Sequence, residues 1–322
     1  MSKLHRSPNV SSAKEIGQWD LCGFVFINKI IPDYLQIASE WPRLTRLVIR
    51  KLSTEKETAM KLSGNTILIT GGTSGIGFEM AKELLKKGNT VIVTGRDTAK
   101  LDRVKTQLPE IHVIQSDVSQ AKEVQALRDK VTNEFPDLNV LVNNAGIWQT
   151  IDIQKENDLE DLTKEIDINL KGPIRMVQAF LPHLKKKTAS AIVNISSGLA
   201  FVPFPVAPVY CSTKAALHSF SLSLRVQLKN TPVKIFEIAP PATQTELLSD
   251  FSSDDMKGIS IMKVEEMVRL TLQGIEQNKY EVTPGQSSQL KFMNRVAPQF
   301  ILDQLSKTVD GMLKHAPSLG RS

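Results

Sequence analysis

Cysteine and histidine are scarce in this sequence, and their positions favour neither a disulfide framework nor a metal centre. The 322 residues include two cysteines, Cys22 and Cys211, and five histidines. Two cysteines suit no framework of bridges and indicate a reducing compartment, so we expect a cytoplasmic protein. No histidine stands at the usual metal-site spacing from a cysteine, a glutamate or another histidine. We therefore expect no metal ion.

Long apolar runs are also missing from the N-terminal part of the chain. Its longest apolar stretch covers residues 21–31 and is interrupted by Asn28 and Lys29. This stretch is too short and too polar to span a bilayer. It also begins too late, and lacks a small-residue cleavage site, for a secretory signal peptide. The sequence thus predicts no transmembrane segment.

Charge of one sign is not concentrated anywhere. Forty basic and 34 acidic side chains give a net charge of +6, and the basic blocks, such as residues 185–187, are short. Short blocks of this kind are typical of solvated helix ends and not of a nucleic-acid-binding surface. With 41% hydrophobic and 23% charged residues, the composition is that of a globular protein and excludes disordered or collagen-like classes.

Strand-like and helix-like patterns alternate from Met60 to about residue 283. Apolar β-runs cover residues 66–70, 90–94, 111–114, 139–142, 191–195, 233–238 and 280–283. Between them, apolar residues recur at helical spacing; Gly88 is expected to end the first helix and Ser119 to cap a later one. This alternation favours βαβ units, so we predict an α/β fold with a doubly wound parallel sheet of about seven strands. Ligands of such sheets bind at the carboxyl ends of the strands.

A glycine-rich turn follows the first predicted strand. Glycines between a strand and a helix let the backbone approach a pyrophosphate, which binds the free N–H groups at the helix N-terminus. The spacing, Gly-x-x-x-Gly-x-Gly, differs from the commoner dinucleotide fingerprint, and a purely structural turn is the alternative. The candidate cofactor-binding residues of this turn are Gly71, Thr73, Ser74, Gly75, Ile76 and Gly77.

The residues after the second and third predicted strands bear on the choice of dinucleotide. The second strand is followed by Gly95-Arg96, where an NAD site would have a carboxylate for the ribose 2′-hydroxyl. The Arg96 guanidinium suits a 2′-phosphate, which favours NADP over NAD. Asp117 and Val118, after the third strand, could frame the adenine. The alternatives are a surface arginine at a helix start and an exposed loop end.

A tyrosine and a lysine form the candidate acid–base pair. Tyr210 and Lys214 are four residues apart and would share one face of a helix. A nearby ammonium stabilises a phenolate, so we expect Lys214 to lower the pKa of Tyr210 from about 10. A tyrosine tuned in this way can exchange a proton with a substrate oxygen.

From Met60 onward the chain resembles the short-chain dehydrogenase/reductase family, over about four-fifths of the sequence. The motifs that carry the resemblance are the glycine turn, Asn-Asn-Ala-Gly at 143–146, Ile-Ser-Ser at 195–197, and Tyr210 with Lys214. Residues 210–218 and 237–241 further resemble the DltE-like branch of that family. The resemblance implies a Rossmann-type fold and a homodimer formed through helices at about 158–187 and 210–229.

The resemblance also implies roles for single residues. Tyr210 would be the general acid/base, Lys214 would hold the nicotinamide ribose, and Ser197 would bind the substrate oxygen. Asn169 would hold a water that links Lys214 to solvent. Further cofactor contacts would come from Asn143, Ala145, Gly146, Pro240 and Thr245. Pro241 stands where the wider family often has glycine, and proline offers no backbone N–H.

The activity expected from these residues is hydride transfer between NADPH and a carbonyl compound or secondary alcohol. The expected walls of the substrate site are apolar, and packing in the core is the alternative for each residue: Ile147, Trp148, Leu199, Phe201, Phe204 and Val206. They favour a small-molecule substrate with apolar bulk. The alternative from another functional class is a non-catalytic sensor or scaffold that binds NADP.

Three segments follow from this pattern: 1–59, an N-terminal extension; 60–285, the Rossmann domain; and 286–322, a helical tail. Because the family pattern begins near Met60, residues 1–59 are expected either to lie outside the functional enzyme or to form an accessory segment that packs through apolar residues at 21–30. An apolar stripe in the tail is expected to pack on its own domain or a second subunit, with membrane-surface binding as the alternative. The stripe consists of Ile301, Leu305, Val309 and Met312.

Overall fold

Seven short runs of aliphatic and β-branched residues form one parallel sheet. In the computed structural model, which describes residues 60–248, 260–307, 309–314 and 319, the strands lie in the order β3-β2-β1-β4-β5-β6-β7. They are β1 (Thr66–Thr70), β2 (Thr90–Gly95), β3 (His112–Gln115), β4 (Leu138–Asn143), β5 (Ser190–Ile195), β6 (Val233–Ile238) and β7 (Glu281–Val282). Every neighbouring pair is parallel, which confirms the predicted fold class. The predictions for residues 1–59 lie outside the described residues.

The described helices cover both faces of the sheet. They are α1 (Gly75–Lys86), α2 (Thr98–Gln107), α3 (Ala121–Glu134), α4 (Leu159–Ile166), α5 (Gly172–Leu184), α6 (Pro208–Gln227), α7 (Val264–Glu276), α8 (Gln286–Val296), α9 (Pro298–Ser306) and α10 (Val309–Lys314). Helices α1, α2 and α7 pack on one face, and α3, α5 and α6 on the other. None of these described helices combines the length and apolar character that a bilayer crossing requires.

Burial on both faces explains why the strands are apolar throughout. Leu68 of β1 faces the α3, α5 and α6 layer, while its neighbours Ile67 and Ile69 face the opposite layer. All three are essentially inaccessible to solvent. Each such side chain contributes roughly 1.5–3 kcal/mol through removal of apolar surface from water. The rigid sheet that results fixes the loops at its carboxyl edge.

Two predicted helix boundaries have different outcomes. Gly88 adopts φ +76° directly after the end of α1, in the left-handed region that glycine tolerates, and the prediction is confirmed. Ser119 does not cap α3, which begins after Gln120. The reason is local: the Asp117 carboxylate accepts the Ser119 backbone N–H at 2.8 Å, which forms a turn before the helix.

The C-terminal residues pack on their own domain. Leu305, Val309 and Met312 lie against the cluster formed by residues of α6 and the loop before it. Farther along, the Leu319 backbone carbonyl accepts the Asp158 N–H at 3.1 Å, and the Leu319 N–H donates to Asn157 at 3.2 Å. Of the expected partners of the apolar stripe, the parent domain is therefore the one observed.

Candidate active site

The turn after β1 lies close to the backbone of the loop after β4. The N-terminus of the helix that begins at this turn has no side-chain cap. Gly71 and Gly75 have φ values of +64° and +54°, and a Cβ on Gly71 would stand 2.7 Å from the Cα of Ala145. The next residues begin α1, whose N-cap, Ser74, makes no side-chain capping bond and whose first turn holds no acidic residue. The first N–H groups of α1 are thus able to bind an anion.

A cavity of about 880 Å³ extends from this turn along the carboxyl edge of the sheet. The volume lies at the upper end of the range for small-molecule and cofactor sites. Most predicted site residues line it: Gly71, Thr73, Ser74, Gly75, Ile76, Arg96, Asp117, Val118, Ala145, Gly146, Ser197, Tyr210, Lys214, Pro240 and Thr245. The sheet therefore brings together residues that are far apart in sequence.

Gly77 and Asn143 do not line the cavity and instead shape its surroundings. A Cβ on Gly77 would stand 2.5 Å from the carbonyl oxygen of Gly71, so glycine is required for helix and turn to pack. The Asn143 side chain is buried and donates to Asn194 at 2.8 Å. The next residue, Asn144, lines the cavity and donates to the Gly71 carbonyl at 2.9 Å. Alternation along β4 turns the Asn143 side chain inward, and its role as a cofactor contact stays a prediction.

At one end of the cavity the charged groups are exposed. Arg96 Nη1 lies 3.9 Å from Asp117 Oδ2, and more than half of the Arg96 side chain is accessible. An exposed pair at this distance contributes little energy and leaves the guanidinium able to bind another anion. Lys100, which the sequence analysis did not single out, also lines this end and pairs with Glu246 at 3.0 Å.

Tyr210, Lys214 and Ser197 converge at the middle of the cavity. Tyr210 and Lys214 share one face of α6, and both are buried. The Lys214 ammonium donates to the Ile195 carbonyl at 3.0 Å and lies 5.5 Å from the centroid of the Tyr210 ring. The Ser197 side chain hydrogen-bonds with Tyr210 and accepts the Leu199 N–H at 3.1 Å. A phenol, a hydroxyl and an ammonium thus share one water-poor site.

Burial dominates the acid–base properties of this group. It raises the pKa of Tyr210, and the hydrogen bond with Ser197 offsets the rise only in part. It lowers the pKa of Lys214 to about 8, and the Glu165 carboxylate opposes that shift. The expected net lowering of the Tyr210 pKa is therefore wrong for this structure, because burial outweighs the groups that stabilise the phenolate. The Lys214 ammonium is directed at a backbone carbonyl, and desolvation of the phenolate is the largest effect.

Asn169 lies behind the cavity wall, in a π-helical turn over Asp167–Lys171. Its Oδ1 accepts the Ile147 N–H at 2.8 Å, and its Nδ2 donates to the Ile147 carbonyl at 2.9 Å. Both ends of the amide therefore hold the loop after β4. Single π-turns inside helices often mark functional sites, and this one places a fully buried amide beside the active site. The water-holding role of Asn169 stays a prediction.

The other end of the cavity is apolar. The Trp148 ring lies 4.6 Å from the Tyr210 ring and 6.2 Å from the Phe204 ring. Ile147 and Leu199 complete the predicted part of this wall. Phe201 and Val206 are not part of it: Phe201 packs edge-on against His218, and Val206 is buried in the core. The sequence analysis missed a set of lining residues from α8 to α10: Gln286, Gln289, Leu290, Met293, Ile301, Leu305 and Met312.

A buried polar network lies beside the carboxyl end of β5. Glu237 of β6 is inaccessible and accepts the Ser196 hydroxyl at 2.7 Å, while His218 Nδ1 lies 2.8 Å from its other oxygen. His218, Glu237 and Glu281 also bring three possible metal-ligand atoms within 4.8 Å of one another. Lys291 pairs with Glu281, so a cation already contacts this cluster. The spacing of these residues in the sequence did not predict the cluster, because the residues come from three separate elements.

Comparison with known proteins identifies the family. The family model for short chain dehydrogenases matches residues 65–256. The uncharacterized oxidoreductase DltE of Bacillus subtilis (strain 168) is 44% identical over 250 residues, which cover 77% of this chain and 98% of that protein. The chain belongs to the short-chain dehydrogenase family. It is an oxidoreductase of that family and similar to its DltE-like branch.

Solved short-chain dehydrogenases share this fold. One from Burkholderia cenocepacia J2315, in complex with NADP, has a TM-score of 0.67 at 24% identity and covers 76% of this chain and 99% of its own. Another, from Burkholderia phymatum in complex with NAD, has the same TM-score at 20% identity and covers 73% and 95%. These two neighbours hold different nicotinamide dinucleotides, so the shared fold alone does not distinguish NADP from NAD.

Proposed function

We propose that this short-chain dehydrogenase is an NADP(H)-dependent oxidoreductase that reduces an apolar carbonyl compound to the secondary or primary alcohol. The observation that carries the proposal is the convergence of Ser197, Tyr210 and Lys214 on one cavity with the glycine turn. Packing of the fold does not by itself require a phenol and an ammonium on the same buried face of a helix. They suit a site where a proton must be supplied to an oxygen.

The cofactor would lie along the carboxyl edge of the sheet. Gly71, Gly75 and the open N-terminus of α1 suit the pyrophosphate. Arg96 suits the 2′-phosphate of NADP, because Gly95 provides no carboxylate for the 2′-hydroxyl of NAD. Lys214 would hold the nicotinamide ribose, and Thr245 and Pro240 would flank the nicotinamide end. Bound NADPH supplies the hydride, while the protein supplies position and electrostatics.

The protonated phenol of Tyr210 can serve as the proton donor when a carbonyl compound is reduced. Because burial raises the pKa of its phenol, Tyr210 carries its proton at neutral pH. That form donates a proton to the oxygen of a carbonyl as negative charge develops there. The Ser197 hydroxyl would share the same oxygen, and the Lys214 ammonium would stabilise the phenolate that remains.

The walls beyond Tyr210 support an apolar substrate. Trp148, Phe204, Leu305 and Met312 line this end, and the described residues there offer no charged side chain other than Lys214. A charged substituent would lose its hydration without gaining a partner. Ketones and aldehydes with aliphatic or aromatic bulk therefore fit the site.

Replacing one tyrosine tests this function. Purified Tyr210→Phe should bind NADPH as the wild type does but lose at least about a hundredfold in carbonyl-dependent NADPH oxidation, the range for loss of a general acid. The matched control is Tyr280→Phe, whose ring stacks on Phe236 and does not line the cavity, and this variant should keep full turnover. Wild-type protein that binds NADPH and turns over no carbonyl compound would instead support the sensor or scaffold alternative.

We further propose a cytoplasmic homodimer. Helix α5 lies within the first segment expected at the dimer interface and α6 overlaps the second, and they expose apolar residues there: Ile174, Leu222 and Val226. Leu222 and Val226 are four residues apart and share one face of α6. Burial of this face against a second copy would remove it from water.

A further inference from the structure

A carboxyl group lies buried beside the active site without a role in the proposed chemistry. Glu165, in the last turn of α4, has no solvent-accessible surface. Its Oε1 accepts the Gln149 backbone N–H at 2.6 Å. Its Oε2 is also buried and has no hydrogen-bond partner among the described residues. An ionisable group is rarely left in this state unless a nearby charge compensates it.

The compensating charge is the Lys214 ammonium. Helix α4 packs against α6, and the titratable groups of α6 that face Glu165 are Tyr210, Cys211 and Lys214. The loop after β4 contributes only the backbone of Gln149. On α4 itself, Asp161 and Lys164 pair with each other at the surface, 3.6 Å apart. Lys214 is thus the one cation among these groups that faces the buried carboxyl.

The two buried groups need each other to stay charged. Burial raises the pKa of Glu165 to about 7 and lowers that of Lys214 to about 8, and each charge opposes the shift of the other. Loss of either charge would leave the partner isolated in a medium of low polarity, where the neutral form is favoured. The charge states of the two groups are therefore coupled.

We propose that Glu165 is a positioning residue that keeps Lys214 in its ammonium form during the reaction, as the buried counter-charge behind the Tyr210–Lys214 pair. The proposal rests on the proposed reductase function. Tyr210 must pass through a phenolate when it donates its proton, and a charged Lys214 would stabilise that phenolate in addition to the Ser197 hydroxyl. Glu165 provides that charge state without touching substrate or cofactor.

Glu165 also has a structural role. The experiments must distinguish this structural role from the proposed effect on the charge of Lys214. Together with Asn169, Glu165 holds the loop that carries Trp148, through the N–H of Gln149 and the backbone of Ile147. Glu165→Gln removes the negative charge but keeps an oxygen for the Gln149 N–H. Glu165→Leu removes both. Glu160→Gln, on the exposed side of the same helix, is the matched control.

The first test is the pH dependence of kcat/KM for carbonyl reduction with NADPH. In Glu165→Gln the Lys214 pKa falls, so the alkaline loss of activity should move to lower pH by about one unit or more. In Glu160→Gln the profile should not move. A Glu165→Gln enzyme whose alkaline limb coincides with that of the wild type would overturn the proposal and leave only loop support.

The second test needs no turnover and remains informative if the proposed reductase function fails. In infrared difference spectra of the wild type, a protonated buried carboxyl should disappear as pH rises through neutrality, and Glu165→Gln should lack that band. The coupling is reciprocal, so Lys214→Gln should shift the midpoint of this titration to higher pH. This measurement stays available if Glu165→Gln fails to fold. A wild-type spectrum without such a titration, or a midpoint that ignores Lys214→Gln, would refute the counter-charge.

Discussion

Truncation of Met312 tests whether the C-terminal helix closes the substrate end of the cavity. Met312 is 5% exposed and packs in one cluster with Phe204, Tyr210 and Cys211. Removal of a buried methionine side chain costs about 2–5 kcal/mol. Helix α10 has only six residues, so the substitution should weaken the packing of this helix on the domain and not the stability of the sheet. Even the lower figure reduces the ratio of docked to undocked helix about thirtyfold.

The assay is steady-state reduction of an apolar carbonyl compound by Met312→Ala. We expect kcat/KM to fall on the order of tenfold, mainly through KM, because the apolar wall is lost and water enters. The affinity for NADPH should not change, since the glycine turn and Arg96 lie at the other end of the cavity. The control is Phe300→Ala on α9, which is 53% exposed and does not line the cavity. If Met312→Ala and Phe300→Ala behave alike, α10 does not close the substrate end.

Two further outcomes follow from the cofactor and interface proposals. Arg96→Ala should weaken NADPH about ten- to hundredfold, the worth of one charge-assisted hydrogen bond, and leave NADH nearly unchanged; equal losses for the two, by fluorescence titration, would refute the 2′-phosphate contact. Leu222→Glu combined with Val226→Glu, at positions 43% and 67% exposed, should give monomers in sedimentation or light scattering, whereas a dimer of unchanged strength, or a monomeric wild type, would place the interface elsewhere or exclude it.

The strands were the most predictable part of the molecule. The predicted bounds 66–70 and 233–238 coincide with β1 and β6, because central strands of a parallel sheet are apolar on both faces and end at turn residues. β7 is shorter than predicted, with only Glu281 and Val282 paired, since it lies at the sheet edge and has one neighbour. Local sequence patterns were therefore sufficient to predict the strands that are buried on both faces of the sheet.

The predictable part of the site consists of residues directly after strands or within one motif. Residues such as Gly71, Ser197 and Tyr210 meet because the sheet topology requires it. Glu165 and Met312 join the site through tertiary packing of α4 and α10. Nothing in the neighbouring sequence distinguishes Glu165 from an exposed carboxylate or Met312 from an ordinary core residue. The Tyr210 pKa was predicted in the wrong direction because spacing gives proximity to Lys214 but not the degree of burial.

Isotope transfer tests the central claim of hydride transfer most directly. NADPH carrying deuterium at both C4 positions should deliver one deuterium to the carbonyl carbon of an apolar substrate, with loss of the label transfer in Tyr210→Phe and not in Tyr280→Phe. The account predicts one deuterium in each molecule of alcohol formed by the wild type. Wild-type protein that binds NADPH yet yields no labelled alcohol from any aliphatic or aromatic ketone or aldehyde tested would contradict it.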